Sequence, residues 1–140
     1  MKKVVIIDGQ GGRIGSQLVA GLKARNLPDI TVCAIGTNSV ATTAMKRAGA
    51  DAAATGENAV RVNCRDADVI SGPIGIIAAD ALMGEVSPTM ACAVGQSAAQ
   101  KVLVPVNRCK QLVVGVREMT LSEAVALAVT EILRVLTPSA

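Results

Sequence analysis

The residues with the clearest chemical meaning stand at the start of the chain, in Lys3–Gly15, KVVIIDGQGGRIG. A short apolar run, Val4–Ile7, ends at Asp8 and a glycine-dense turn then opens directly into a helical pattern. Gly9, Gly12 and Gly15 recur at every third position, with Gly11 between them. Glycines so spaced let backbone N–H groups approach a diphosphate at the positive end of a helix dipole. The candidate ligand-binding residues of this turn are Asp8, Gly9, Gln10, Gly11, Gly12, Arg13, Ile14 and Gly15. Arg13 lies where it could reach a phosphate oxygen; the alternative is a solvated surface charge.

Similar residues recur where other strands should end. Gly36, Thr37 and Asn38 follow the second apolar run, Thr55–Asn58 the third, Gly72, Pro73, Ile74 and Gly75 the fourth, and Asn107-Arg108 a later one. In an open α/β sheet, ligands bind beyond the carboxyl ends of the strands, where the strand order reverses. In the usual order the first and fourth strands flank that point, so the Gly9–Gly15 and Gly72–Gly75 turns would face each other. Tight turns need Gly, Asn and Thr for their own geometry as well. An acidic residue is expected after the second strand to bind both ribose hydroxyls, but Gly36-Thr37-Asn38 contains none. Thr37 and Asn38 suit a ribose hydroxyl or a 2′-phosphate, which makes NADP or another phosphorylated nucleotide the expected cofactor rather than NAD.

Groups able to do covalent or acid–base work are few. With no Tyr and no His in the chain, the tyrosine–lysine pair of short-chain dehydrogenases cannot form. The remaining ionisable or nucleophilic candidates are Asp8, Glu57, Lys46, Arg108 and the cysteines. Cys109, beside Arg108 and Lys110, has neighbours that would lower a thiol pKa; chance placement is the other reading. Cys33 reads as core, and Asp66 and Asp68 read as solvated charges. Asp8 carries a charge that opposes a diphosphate, so it needs a metal, an amine, an outward rotamer, or a role holding the loop N–H groups. No residue is assigned as catalytic and none as a metal ligand.

Composition narrows the class. The chain has 140 residues, a net charge of +3 and four cysteines without C-x-x-C spacing. That length fits one domain spanning 1–140. The charge is too mild, and aromatic residues too completely absent, for nucleic-acid binding. The opening apolar stretch is shorter than a secretory core, and no run approaches membrane-spanning length. A cytoplasmic protein with reduced thiols is expected. Hydrophobic residues reach 51%, enough to fill both faces of a parallel sheet and to cover a subunit contact.

Strand-like and helix-like segments alternate along the chain. Strands are expected at Val4–Ile7, Ile30–Ile35, Ala50–Ala54, Ala67–Ser71, Lys101–Val106 and Leu112–Val116. The last two, joined by Asn107–Gln111, are expected to pair antiparallel because the connection is so short. Helices are expected at Ile14–Ala24, Ser39–Ala48, Ile76–Met83 and Pro88–Ala99, while Asn58–Cys64 reads as either helix or extended chain. A capping box, Thr120-Leu121-Ser122-Glu123, opens the last helix. Two apolar rows run along it, Leu121/Val125/Ala128/Ile132/Val135 and Ala126/Val129/Leu133/Leu136, wide enough for a contact between copies. The fold class is thus α/β, a Rossmann-like three-layer open sheet, mostly parallel with an antiparallel C-terminal edge pair.

The stretches IDGQGGRIG (Ile7–Gly15), IGTNSVATTAMKRAGADAAATGENAV (Ile35–Val60), GPIGIIAADALMGEVSPTMA (Gly72–Ala91) and VPVNRC (Val104–Cys109) together resemble an uncharacterised bacterial domain-of-unknown-function family of similar length. The resemblance spans essentially the whole chain and brings no activity with it. Gly9, Gly12 and Gly15 separately resemble the NAD(P)-binding loop of extended short-chain dehydrogenases. The sequence thus implies a domain binding a nucleotide or dinucleotide, with a small phosphorylated molecule as partner and a homodimer or higher homo-oligomer as its assembly. Two alternatives stay open: a ligand-sensing or scaffold protein without catalysis, and a small enzyme on a phosphorylated metabolite with Asp8 or Glu57 as base.

Overall fold

The computed structural model describes residues 1–106 and 110–137. Its elements are β1 (Lys2–Asp8), α1 (Arg13–Lys23), β2 (Ile30–Gly36), α2 (Ser39–Arg47), β3 (Ala52–Thr55), α3 (Glu57–Cys64), β4 (Val69–Pro73), α4 (Pro88–Gln96), β5 (Gln100–Val104) and α5 (Leu121–Leu136), with one 3-10 turn at Ile74–Ile77. The strands form one parallel sheet in the order β3-β2-β1-β4-β5. Val4 of β1 lies level with Val32 of β2 and Val69 of β4. The direction of the crossovers therefore reverses between β1 and β4.

Apolar residues on consecutive positions of β1 follow from burial on both faces, since neighbouring side chains point to opposite sides. Val4 and Ile6 join a core with Leu18, Val19 and Leu22 of α1, Met45 of α2 and Ile132 of α5. Val5 and Ile7 join the other, with Val60 of α3, Ile70 of β4 and Met90 and Val94 of α4. Each such fully buried aliphatic side chain stabilises the fold by about 1.5–3 kcal/mol. The helix starts follow local chemistry. The Asn38 side chain accepts from Ala41 N–H at 2.9 Å to open α2, and Ser87 caps α4 ahead of Pro88. The Thr120–Glu123 capping box forms as the sequence predicts, and α3 resolves the ambiguity at Asn58–Cys64 in favour of helix.

The C-terminal edge departs from expectation. β5 pairs parallel with β4, Ile70 level with Lys101, and Leu112–Val116 forms no strand. A parallel β5 runs to the same rim as the other strands. There α5 must begin, because it lies along α1, with Val129 against Gly21 and Val125 sharing a groove with Gln17. A strand returning beside β5 would lead the chain away from that start. Leu112 and Val114 are left 92% and 99% exposed.

Two further expectations change. Ile76–Met83 is not a helix: Asp80, Leu82, Met83 and Gly84 all have positive φ, which ends helical winding after the 3-10 turn. α4 stops at Gln96 because Ser97 turns extended. Part of the apolar breadth of α5 is used within the chain, while Ala126 is exposed and Leu121, Leu133 and Val135 are half-buried. Val125, Ala128 and Ile132 of one row and Val129 and Leu136 of the other are all buried against α1 and the sheet. Among the described residues, no helix is long and apolar enough to cross a membrane.

Candidate functional site

At the carboxyl end of β1 the chain turns through Gly9–Gly12 into α1, and Asp8 lies beneath that turn. The residue is 4% exposed. One carboxylate oxygen accepts from Gly9 N–H at 2.8 Å and the other from Gly15 N–H at 2.6 Å. Burial pushes the Asp8 pKa above its ordinary value. The amides of Gly15 and Gly9 pull against that rise, and the nearby Glu85 charge adds to it. Of the roles the sequence left open for Asp8, its geometry meets that of holding the loop amides.

The glycines of the turn answer to internal packing. Gly12 has φ +73°, and a Cβ there would lie 2.8 Å from the Ala41 Cα of α2. A Cβ at Gly15 would meet Asp8 Cβ at 2.8 Å and Met45 Sδ at 2.5 Å. One at Gly9 would crowd Thr37 Oγ1, Glu85 and Leu82. Gly11 differs, for a Cβ there meets nothing within 4 Å. Gln10, Gly11 and Arg13 are exposed, whereas Gly9, Gly12, Ile14 and Gly15 are buried. The N-cap residue of α1, Gly12, has no side chain to cap the helix, and Asp8 meets the Gly15 amide of its first turn from below.

The neighbouring strand ends meet this turn on both sides. Gly36 closes β2 under the start of α2, where a Cβ would collide with Thr42 Oγ1. Thr37 N–H donates to the Asp8 carbonyl at 2.9 Å, tying the two rims together. Toward β4, a Cβ at Gly72 would collide with the Ile7 carbonyl oxygen. Gly72, Pro73 and Gly75 are buried in the wall opposite α1.

A second carboxylate sits above the turn. Glu85, in the segment between the 3-10 turn and α4, brings Oε1 to three donors: Gln10 N–H at 2.8 Å, Thr37 Oγ1–H at 2.8 Å and Asn38 Nδ2–H at 2.7 Å. Partial burial raises its pKa, but those three bonds outweigh burial and hold Glu85 below its ordinary value. The carboxylate is therefore ionised at neutral pH.

A family model described as "Domain of unknown function (DUF3842)" matches residues 3–137. The chain belongs to that family. No curated protein matches it in sequence. Among solved structures it is similar to a dodecameric FMN-dependent Ubix-like decarboxylase from Escherichia coli O157:H7, at 22% identity and TM-score 0.46, covering 94% of this chain and 75% of that one.

In this DUF3842 chain the rim gathers Asp8–Gly15, Gly36–Asn38 and Gly72–Gly75 around β1, together with Glu85. Sequence reasoning missed Glu85 because it lies 48 residues beyond Thr37. The available signal was the missing acid after β2, which invites a search for one from another loop. Other candidates serve the structure. Glu57 accepts from Ser87 Oγ at 2.6 Å, and Lys46 Nζ donates to the carbonyls of Ala50 and Asp51. Asp66 pairs with Lys3, and Asp68 accepts from Lys3 N–H. Cys33 and Cys64 are buried and Cys92 is exposed; burial pushes the Cys64 thiol up to about 11. Among the described residues, no three His, Cys, Asp or Glu side chains group closely enough to hold a metal ion. Asn107, Arg108 and Cys109 lie outside the described residues. A cleft of about 730 Å³ lies away from the rim, between α3 and α4, lined by Arg61, Arg65, Cys92 and Gln96 among others.

Proposed function

We propose that the chain binds a nucleotide at the carboxyl end of the sheet, across the reversal point between β1 and β4. The observation that carries this reading is the start of α1: it lies at that reversal, and Gly11, two residues ahead of the helix, is exposed with open surroundings. A helix start favours negative charge through its dipole and through the first-turn amides that Asp8 does not take. Phosphate would lie over the exposed Gly11 and Arg13 amides, with the Arg13 guanidinium supplying the compensating charge. The ribose would lie toward Gly36, Thr37 and Asn38, and Gly72, Pro73 and Gly75 would form the opposite wall. Asp8, Gly9, Gln10 and Gly15 would shape the turn from within.

Ligand sensing without catalysis is the version that the side chains favour. Asp8 has an amide on each oxygen, Glu57 is bonded to Ser87, and Lys46 is bonded to two carbonyls. None of these groups is poised as a free base.

Thermal melting with ADP, NAD, NADP and FMN tests the proposal, since a ligand that binds only the folded chain raises its melting temperature. Gly11→Leu is the informative variant, because a Cβ at Gly11 meets nothing within 4 Å and Gly11 is exposed. The expected result is a shift for the wild type and none for Gly11→Leu, whose unliganded melting temperature is no lower than that of the wild type. Equal shifts in the two would move the ligand away from α1, and no shift with any ligand would remove the nucleotide reading.

A further inference from the structure

We propose that Glu85 is the ribose-reading residue of this site: its carboxylate accepts the ribose hydroxyls of a nucleotide and its charge turns away a 2′-phosphate. This deepens the nucleotide reading and rests on it. Dinucleotide-binding sheets place an acid at the end of the second strand for this task. Here that strand ends in Gly36-Thr37-Asn38, and the acid arrives from the loop ahead of α4. Its three bonds all fall on Oε1. Among the described residues no donor bonds Oε2, which faces O–H donors of a ligand in this reading.

The same bonds alter what Thr37 and Asn38 can do. Their donors face an ionised carboxylate, so a 2′-phosphate approaching them meets a like charge at contact distance instead of free donors. The preference for a 2′-phosphorylated cofactor that Thr37 and Asn38 suggest alone is thereby reversed. The loop is built to hold Glu85 in place. Val86 N–H donates to the Ala81 carbonyl and Asp80 N–H to that of Val86, while Leu82 and Val86 are 6% and 1% exposed within the core. Gly9 has no Cβ to obstruct the carboxylate; one would lie 2.9 Å from Glu85 Oε1.

Calorimetric titration of the full chain with NAD, NADP and inorganic phosphate, for wild type and Glu85→Gln, tests the assignment. Wild type is expected to bind NAD about tenfold or more tighter than NADP, and Glu85→Gln to bring that ratio below about two by weakening NAD and admitting NADP. An unchanged ratio would overturn the role of Glu85 and leave the nucleotide reading standing. Equal tightening of NAD, NADP and inorganic phosphate would also overturn it, showing that the carboxylate merely occupies an anion seat. Failure of every ligand with both proteins would overturn the nucleotide reading and this inference together. Should Glu85→Gln melt far below the wild type, Glu85→Asp replaces it. That variant keeps the charge, so NAD should weaken without any gain for NADP, and a gain for NADP would overturn the assignment.

Discussion

The floor and the mouth of the β1–α1 turn each hold a carboxylate, and the two are opposite in kind. Asp8 in the floor is 4% exposed and bonded to two amides of its own loop, seven residues apart or fewer. Glu85 in the mouth is partly exposed and comes from a distant loop, bonded to an amide, a hydroxyl and a carboxamide. Water or a ligand can replace partners of the second kind, whereas partners of the first kind are sealed. A glycine-rich turn can therefore divide its labour: the buried half fixes the backbone and the exposed half is left for recognition.

Removing the floor should do the most damage. Asp8→Ala leaves two buried amides without acceptors, costing about 1–3 kcal/mol for each one unpaired. Asp8→Asn offers an acceptor to one amide and an opposing NH₂ to the other, so it should lose about half as much. Chemical denaturation would measure both. Losses below about 0.5 kcal/mol would place the Asp8 carboxylate in contact with water and erase the contrast with Glu85.

Gly12→Val comes next. Positive φ at Gly12 and the Ala41 backbone beside it make a β-branched side chain costly there, by about 1–3 kcal/mol from backbone strain alone. At Gly11 a Cβ meets nothing within 4 Å. Comparing the two melting temperatures tests whether floor and mouth differ in packing as they do in charge; equal losses would sink that distinction.

These two glycines also mark what the sequence could disclose. Strand–turn–helix at Val4–Gly15 was legible because apolar run, glycines and helical period agree locally. Hydrophobic runs likewise placed β2 and β4, and the capping box placed α5. Leu112–Val116 misled because β-branched content records what a segment can do, while the direction of β5 and the start of α5 decide what it does. Ile76–Met83 misled because apolar spacing says nothing of φ. Glu85 was illegible for another reason: its partners Gln10, Thr37 and Asn38 lie 75, 48 and 47 residues away, and only the strand order brings them together. The spacing of the glycines points to ligand contacts, yet Gly12 and Gly15 are needed by α2 and Asp8.

The two carboxylates should also respond to pH with opposite sign. The Asp8 pKa is raised from 3.8 by burial, so its contribution to stability is fully present in acid below 3.8 and is lost as pH rises through the folded value. The Glu85 pKa is lowered from 4.5, because its three bonds outweigh partial burial. Its contribution is present above 4.5 and lost as pH falls through the folded value. Unfolding free energies for wild type, Asp8→Asn and Glu85→Gln from about pH 3 to about pH 7 would separate them. The advantage of wild type over Glu85→Gln should shrink toward acid, and that over Asp8→Asn should shrink toward neutral pH. Parallel slopes would mean that the two carboxylates share one environment.

The smallest expected effect sits at the lip of the turn. Gly11 is exposed, has no positive φ, and a Cβ there would touch nothing. Replacing it with alanine removes freedom from the unfolded chain without straining the folded one, which should stabilise by about 0.4–1 kcal/mol. If phosphate lies over this residue, the same methyl group stands between it and the amides at the start of α1. Gly11→Ala should then raise the melting temperature of the unliganded protein and reduce the further rise that nucleotide gives. These opposite changes within one variant distinguish a residue kept for recognition from one kept for folding. A destabilised Gly11→Ala would assign Gly11 to the floor with Gly12, and the division of the turn into two halves would fail at its own edge.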